Sequence, residues 1–319
     1  MRRNGALAAD YARRHDVPRW YDDADELIND PGVDAVYVAT PPDSHSAYVL
    51  RAAQAGKPVY VEKPMARTAV ECEQMVSACA EAGVGLFVAY YRRAMPRFVK
   101  VKELLDGGRI GQLRSVSIRN ERPAPGGGAA DQEGWRVHPE ISGGGHFVDL
   151  GSHILDLLDW LLGPVTHAAG VATNRGGRYP AEDLVTAVLS FRSGVEGVGV
   201  WNYDSFQHQD QIEIIGTAGA LRFSCFAGEP LRLLTAGGVE QIEAPYPETV
   251  QLPLIQTVVN ALTGHGESPS TGHSALRTAR VIDSLLSDYR DGHGITYVSG
   301  EARSGAPGCP EQHSLLIEH

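Results

Sequence analysis

Three short apolar runs constrain this chain most: Val33–Ala39, Val59–Val61 and Val84–Tyr90, set apart by two stretches that read as helices. Each run is rich in β-formers and follows a turn signal, namely Pro31-Gly32, Gly56-Lys57-Pro58 and Gly83. Ser44 caps the first intervening helix, which runs through Ala55 and closes at Gly56. Thr68 starts the second, which runs to Glu81. Strand, helix, strand, helix, strand at this spacing predicts a parallel sheet with right-handed crossovers. Proline cannot continue a central strand, so Pro64 leaves Glu62 and Lys63 at the carboxyl end of theirs. The other two strands end in Thr40-Pro41-Pro42 and Tyr91-Arg92-Arg93. Ligands of open α/β sheets sit outside that edge. Lys63 alone reads more readily as a solvated lysine than as an ammonium polarising a substrate oxygen. Three polar strand ends converging on one edge favour the second reading.

A helix over Asn4–His15, with Asn4 as N-cap, precedes this unit. After it, Pro96–Leu105 reads as a helix closed by Gly107-Gly108. Leu113–Asn120 alternates as a strand with Val116 and Ile118 on one face. A Gly/Pro-rich stretch from Pro123 to Gly128 leads to Trp135-Arg136 and then to Ser142-Gly143-Gly144-Gly145-His146-Phe147-Val148-Asp149-Leu150-Gly151-Ser152-His153. A regular helix here lines up Phe147, Leu150, Ile154, Leu157, Leu158 and Leu161 as an apolar stripe, with His146, Asp149, His153 and Asp156 along its flank. Asp149 and His153 stand at i and i+4, so their side chains can meet.

That ridge has three readings. A polar face touching water is the default. A metal site of His146, Asp149 and His153 suits the ligand types, but no further cluster completes a shell. The third is a catalytic pair beside Lys63. The glycines do not make a phosphate loop, because no Gly-Lys-Ser/Thr follows them. Beyond Gly163-Pro164 the period becomes two, with strands at Leu184–Phe191, Val195–Tyr203, Gln211–Gly216 and Ala220–Phe223. These predict a largely antiparallel open sheet. Val250–Thr263 and His273–Tyr289 close the fold as helices, and the tail from Gly300 is expected to be disordered.

The whole is an α/β chain: an incomplete Rossmann-type parallel sheet over residues 1–93 and an α+β unit over 94–299, followed by the tail 300–319. The 319 residues suffice for two cores, and 43% apolar with 21% charged residues is ordinary for a globular protein. A net charge of −11 argues against nucleic acid or anionic membrane as partner. No apolar run approaches the ~20 residues of a membrane span, and Met1-Arg2-Arg3 is followed by no apolar signal core. A cytoplasmic setting is expected. Cys72 and Cys79 lie on one helix, roughly 10 Å apart along its axis, too far to bridge.

Thr40-Pro41-Pro42 with His45, then Ala55-Gly56-Lys57-Pro58-Val59, then Glu62-Lys63-Pro64 closely resemble the Gfo/Idh/MocA family of NAD(P)-dependent oxidoreductases. The resemblance runs from about Arg2 to about Gly292. It implies that Lys63, Asp149 and His153 form the catalytic set and that the Lys63-Pro64 bond is cis. It implies a cofactor edge of Thr40, Pro41, Pro42, His45, Glu62, Lys63 and Arg92. Arg92 also belongs, with Trp135, Arg136 and His146, among candidates for lining the substrate pocket. The family opens with a Gly-rich βαβ unit, and no G-x-G-x-x-G precedes the first helix here. Roughly 25–30 residues, the size of a strand, glycine turn, helix and strand, are expected to be missing. A start assigned too late is favoured over a truncated, inactive product, and the intact mass of the natural protein decides. Arg2 and Arg3, at the expected end of the family's second strand, suit a 2′-phosphate and favour NADP, with NAD possible.

The expected function is hydride transfer between NADP and a sugar, cyclitol or related diol, by a homo-oligomer assembled through the C-terminal sheet. His153 is the expected general base, Asp149 its orienting partner and Lys63 the stabiliser of a developing alkoxide. A non-catalytic sugar or dinucleotide sensor on the same fold is the alternative. A metal-dependent isomerase or lyase would need ligands not found; no metal is expected.

Overall fold

The computed structural model describes residues 1, 4–123 and 134–297. Arg2, Arg3, most of the Gly/Pro-rich stretch after Pro123 and the tail from Gly300 lie outside the described residues. Helix α1 (Gly5–Arg14) is capped by Asn4, whose side chain accepts the Leu7 N–H at 3.2 Å. A short α2 (Ala24–Asn29), not anticipated from sequence, is capped by Asp23, with Asp25 and Glu26 in the first turn favouring the helix dipole. Then follow β1 (Val36–Val38), α3 (His45–Gln54), β2 (Val59–Val61), α4 (Ala69–Glu81) and β3 (Leu86–Val88). The strands form a parallel sheet in the order β1-β2-β3, in register Val36↔Val59↔Leu86.

β1 and β3 are shorter than the apolar runs suggested. At β1 the reason is visible: the Val33 carbonyl accepts from the Lys57 ammonium at 2.6 Å instead of from a neighbouring strand. Ser44 does not cap α3 with its side chain. Its hydroxyl donates to Thr40 Oγ1 and to the Pro41 carbonyl, and a 3-10 turn over Pro42–Ser44 precedes the helix. Val38, Val49, Val61, Met75 and Val88 are buried in the core beneath this sheet, together with the free thiols Cys72 and Cys79.

Past a 3-10 turn at Tyr91–Ala94 come α5 (Pro96–Asp106) and β4 (Leu113–Pro123). Residues Phe147–Gly151 wind as a π-helix before α6 (Ser152–Leu162) begins. An eight-stranded sheet adds β5 (Val165–Thr173), β6 (Leu184–Phe191), β7 (Glu196–Ser205), β8 (Gln209–Gly216), β9 (Gly219–Phe223), β10 (Leu231–Thr235) and β11 (Gly238–Ile242). The order is β11-β10-β9-β8-β4-β7-β6-β5, and every pairing is antiparallel except β4 with β7. On its inner face lies α6, whose Ile154, Leu157, Leu158 and Leu161 are buried. Burial of such a side chain is worth about 1.5–3 kcal/mol each.

Helices α7 (Leu252–Leu262) and α8 (Gly272–Gly292) close the molecule. α8 starts in a capping box between Thr271 and Ser274 and packs on α4, α6 and β5. Its Ala275 and Leu276 belong to the core of the three-stranded sheet. A buried charge network ties the end of β3 to the second unit. Arg93 Nε and Nη2 each donate to Asp156 carboxylate oxygens at 2.8 Å, and Nη2 also reaches Asp159 at 3.1 Å. Arg277 of α8 pairs with the same Asp159. Burial opposes the Arg93 charge, and the two carboxylates outweigh it, holding its pKa above the ordinary value. No helix among the described residues is long and apolar enough to cross a membrane.

Candidate active site

The three polar strand ends share one edge, and each is tethered. His45 is fully buried, with Nε2 2.7 Å from the Thr40 carbonyl and Nδ1 3.1 Å from that of Pro64. Burial pushes its pKa down, against carbonyls that favour the charged ring. This corrects the expectation that His45 contacts a cofactor: both ring nitrogens are engaged with backbone, and the ring ties the ends of β1 and β2 together. Glu62 Oε1 accepts from Tyr37 at 2.6 Å and from Gln251 at 3.1 Å, while Oε2 accepts the Lys63 N–H. Tyr37 stacks on Tyr60 with centroids 5.0 Å apart. Pro42 is buried; Thr40 and Pro41 remain at the rim. The Lys63-Pro64 peptide bond is cis.

Lys63 leaves its strand and crosses to the second unit. Its ammonium pairs with the Asp149 carboxylate and donates to the Asp149 carbonyl at 3.0 Å. Burial alone would raise the Asp149 pKa; the Lys63 ammonium, then Arg136 and His146, reverse this and hold it below the usual range. Arg136 Nε lies 3.6 Å from the other Asp149 oxygen, its guanidinium over the Trp135 ring.

Asp149 sits in the π-helical turn, and its neighbours explain how that turn is held. Gly143 has φ +88°, and a Cβ there would meet the Arg67 carbonyl at 2.7 Å, so this position needs glycine. The Gly145 N–H donates to Glu182 Oε1 at 2.8 Å. His146 packs against Tyr179 and Tyr203, and Tyr203 donates to Asn120 Oδ1 at 2.9 Å.

Glu182 is 1% exposed. Burial pushes its carboxyl up to about 7, against the Gly145 N–H, Arg290 and His146, which act the other way. Between about pH 4.5 and 7 the folded chain keeps a proton that the unfolded chain has released, so stability falls as pH rises through that window. The full effect is about 3 kcal/mol. Thermal unfolding between pH 5 and 8 should therefore show a steeper loss for the wild type than for Glu182→Gln. Parallel curves would mean that folding does not raise the carboxyl's pKa.

His153, at the start of α6, is 4% exposed and ringed by aromatics: Tyr90 at 5.8 Å, Tyr91 at 5.3 Å and Phe226 at 6.2 Å between centroids. Among the described residues its Nδ1 has no hydrogen-bond partner. Burial first, then the Arg92 and Lys63 charges, push its pKa well below the ordinary value, so the ring is neutral at pH 7.

Lys63, Asp149 and His153 are thus brought together across the two units, with Arg136 and His146 beside them. Three expectations are corrected. Asp149 and His153 do not bond each other as i, i+4 partners, because the wider π turn changes the register and Asp149 faces Lys63. The flank is not a water-facing ridge: Asp156 is 1% exposed and serves Arg93. Arg92 turns away from the strand-end edge; it is buried, donates to the Cys225 carbonyl at 3.0 Å and packs on Phe226. Among the described residues no group of three or more His, Cys, Asp or Glu side chains is placed to hold a metal ion. Sequence reasoning missed Glu182, Tyr203 and Phe226. The inward alternation of Trp201 and Tyr203 on β7 could have flagged Tyr203; no local pattern marks the other two.

Comparison with known proteins agrees with this architecture. Residues 1–90 match the oxidoreductase family with NAD-binding Rossmann fold, and residues 98–222 match the GFO/IDH/MocA C-terminal domain. Oxidoreductase P35 of Formosa agariphila is 36% identical over 284 residues, covering 89% of this chain and 88% of that protein. D-apiose dehydrogenase of Paraburkholderia graminis is 29% identical over 311 residues, 91% of this chain and 80% of that protein. The aldose–aldose oxidoreductase of Caulobacter crescentus, solved with glycerol, superposes with a TM-score of 0.77 at 29% identity, covering 90% of this chain and 87% of that one. By these matches the chain belongs to the Gfo/Idh/MocA family of oxidoreductases.

Proposed function

We propose that this protein moves a hydride between a nicotinamide dinucleotide and a CH–OH or C=O carbon of a sugar, cyclitol or related diol. The observation that carries the reading is the Lys63 ammonium of the first unit, held on Asp149 of the second and acting electrostatically on a neutral His153. The names of the relatives, a D-apiose dehydrogenase and an aldose–aldose oxidoreductase, support sugar-like substrates. Thr40, Pro41 and Glu62, with Lys63, fit the nicotinamide half of a cofactor: they rim one edge, from which the Lys63 charge acts on His153. When bound, the cofactor supplies the hydride acceptor or donor. Arg2 and Arg3 support NADP over NAD.

The chain's own residues handle the proton. Neutral imidazole takes it from the substrate hydroxyl in oxidation and returns it in reduction. Lys63 stabilises the alkoxide that develops on that oxygen, and Asp149 fixes the lysine in place. The aromatic walls of Tyr90, Tyr91 and Phe226 keep water from His153. Because the His153 pKa is depressed, the acid limb of kcat/KM for oxidation should lie well below pH 6.5. A panel of sugars and polyols with NADP and NAD, followed at the absorbance of the reduced cofactor, tests the assignment. Turnover with that pH limb is expected; tight sugar binding without any turnover would instead make the protein a sensor.

A further inference from the structure

The geometry points to an acidic substrate: a sugar-type polyol bearing a carboxylate, received by Arg92 and Arg122 beside His153. This rests on the hydride-transfer reading above and names the substrate class of that same site.

Three buried nitrogens around one phenyl ring carry the inference. Arg92 is 4% exposed; its guanidinium lies over Phe226 at 4.5 Å and over Tyr91 at 4.8 Å, and among the described residues its Nη1 has no partner. Arg122, at the end of β4, places its guanidinium 5.3 Å from the same Phe226 ring, and its Nε is also buried without a partner among the described residues. The third is His153 Nδ1, on the ring that meets Phe226 edge-on. Buried polar atoms without partners are rare, and several meeting at one place mark a position for something the fold itself does not supply.

The chemistry of that occupant follows from what the other buried and half-buried arginines have. Arg93 has Asp156 and Asp159, Arg67 has Glu71, and Arg290 has Asp283. Arg97 lacks an ion pair but is faced by the charges of Asp210 and Glu229. Among the described residues neither Arg92 nor Arg122 has a carboxylate within ion-pair distance. The nearby acid, Asp149, is already matched by Lys63 and Arg136. Among the described residues two guanidinium groups are therefore left without a counter-charge, in a protein whose net charge is −11. Arginine presents a planar fork of donors that fits a carboxylate in a bidentate manner. A substrate carboxylate seated there would also fix which hydroxyl-bearing carbon faces His153.

The test compares D-galacturonate with D-galactose and D-glucuronate with D-glucose, using the full chain with its cofactor, by kcat/KM and by calorimetric binding. The acid of each pair should be preferred roughly 10- to 100-fold, the range expected of hydrogen bonds to a charged group. Arg122→Gln should lower the acid-to-neutral ratio of kcat/KM about tenfold and weaken uronate binding by a similar factor. Arg122 is only half-buried, so its replacement spares the core that Arg92→Gln endangers. Equal turnover of acid and neutral sugars, or equal losses for both in Arg122→Gln, would overturn the inference and leave the hydride-transfer reading standing. Preference for glucose 6-phosphate over both uronates would overturn it in favour of a phosphate. Binding of a uronate that depends on Arg122, with no turnover of any sugar, would uphold the inference while removing the enzyme assignment.

Discussion

Lys63→Met is expected to lower kcat by roughly 100-fold or more, the usual contribution of a group that stabilises or moves a proton in the transition state. The replacement keeps the length and the apolar stem but removes the charge that the Asp149 carboxylate pairs with. His153→Ala should cost about as much, since the proposed mechanism uses the neutral ring as its base. The measurement is steady-state turnover at saturating sugar, with the circular dichroism of each variant compared to the wild type. A loss confined to KM would make Lys63 a binding group; activity within a few-fold of wild type would remove the residue from the chemistry. Lys63→Arg separates charge from placement, because a guanidinium keeps the charge but cannot reproduce a single ammonium held on both the carboxylate and the carbonyl of Asp149.

The second large effect concerns stability. Arg93→Met should destabilise the fold by about 3–5 kcal/mol, because Asp156 loses its guanidinium and Asp159 one of its two. The midpoint of thermal unfolding should fall by roughly 10 °C. The side chain is 3% exposed and cannot be replaced by water without opening the contact between the 3-10 turn after β3 and helices α6 and α8. A midpoint shift within a degree or two of zero would mean that Asp156 is protonated in the fold rather than paired. The double variant Arg93→Met with Asp156→Leu should recover part of the loss, since removing both charges leaves no buried ion unpaired.

What could be read from residues alone follows the physics of punctuation. Proline and glycine bound β2, which puts Glu62 and Lys63 at a strand end from residue types alone, and Thr68, which starts the next helix in the sequence, caps α4. The alternation of Leu184–Phe191 marked β6 to the residue. Failures cluster where distant segments decide. β5 is exposed along most of its length and shows little alternation. The parallel pairing of β4 with β7 joins strands far apart in the chain, and no local pattern encodes it. The π turn at Phe147–Gly151 escapes a reading based on a period of 3.6, and with it went the true partner of Asp149. The position of His45 resembles a ligand contact; only its burial against three backbone carbonyls reveals a tether.

Helix α8, near the end of the chain, lends Ala275 and Leu276 to the interior of the first sheet, and Thr271 just before it bridges to Phe87 of β3. As the chain leaves the ribosome, β1, β2 and β3 must therefore wait for nearly two hundred further residues before their interior is sealed. Cutting the gene at residue 93 would yield an amino-terminal fragment with greasy surface showing, prone to clump, whereas the same fragment supplied with a peptide spanning 271–292 should regain solubility.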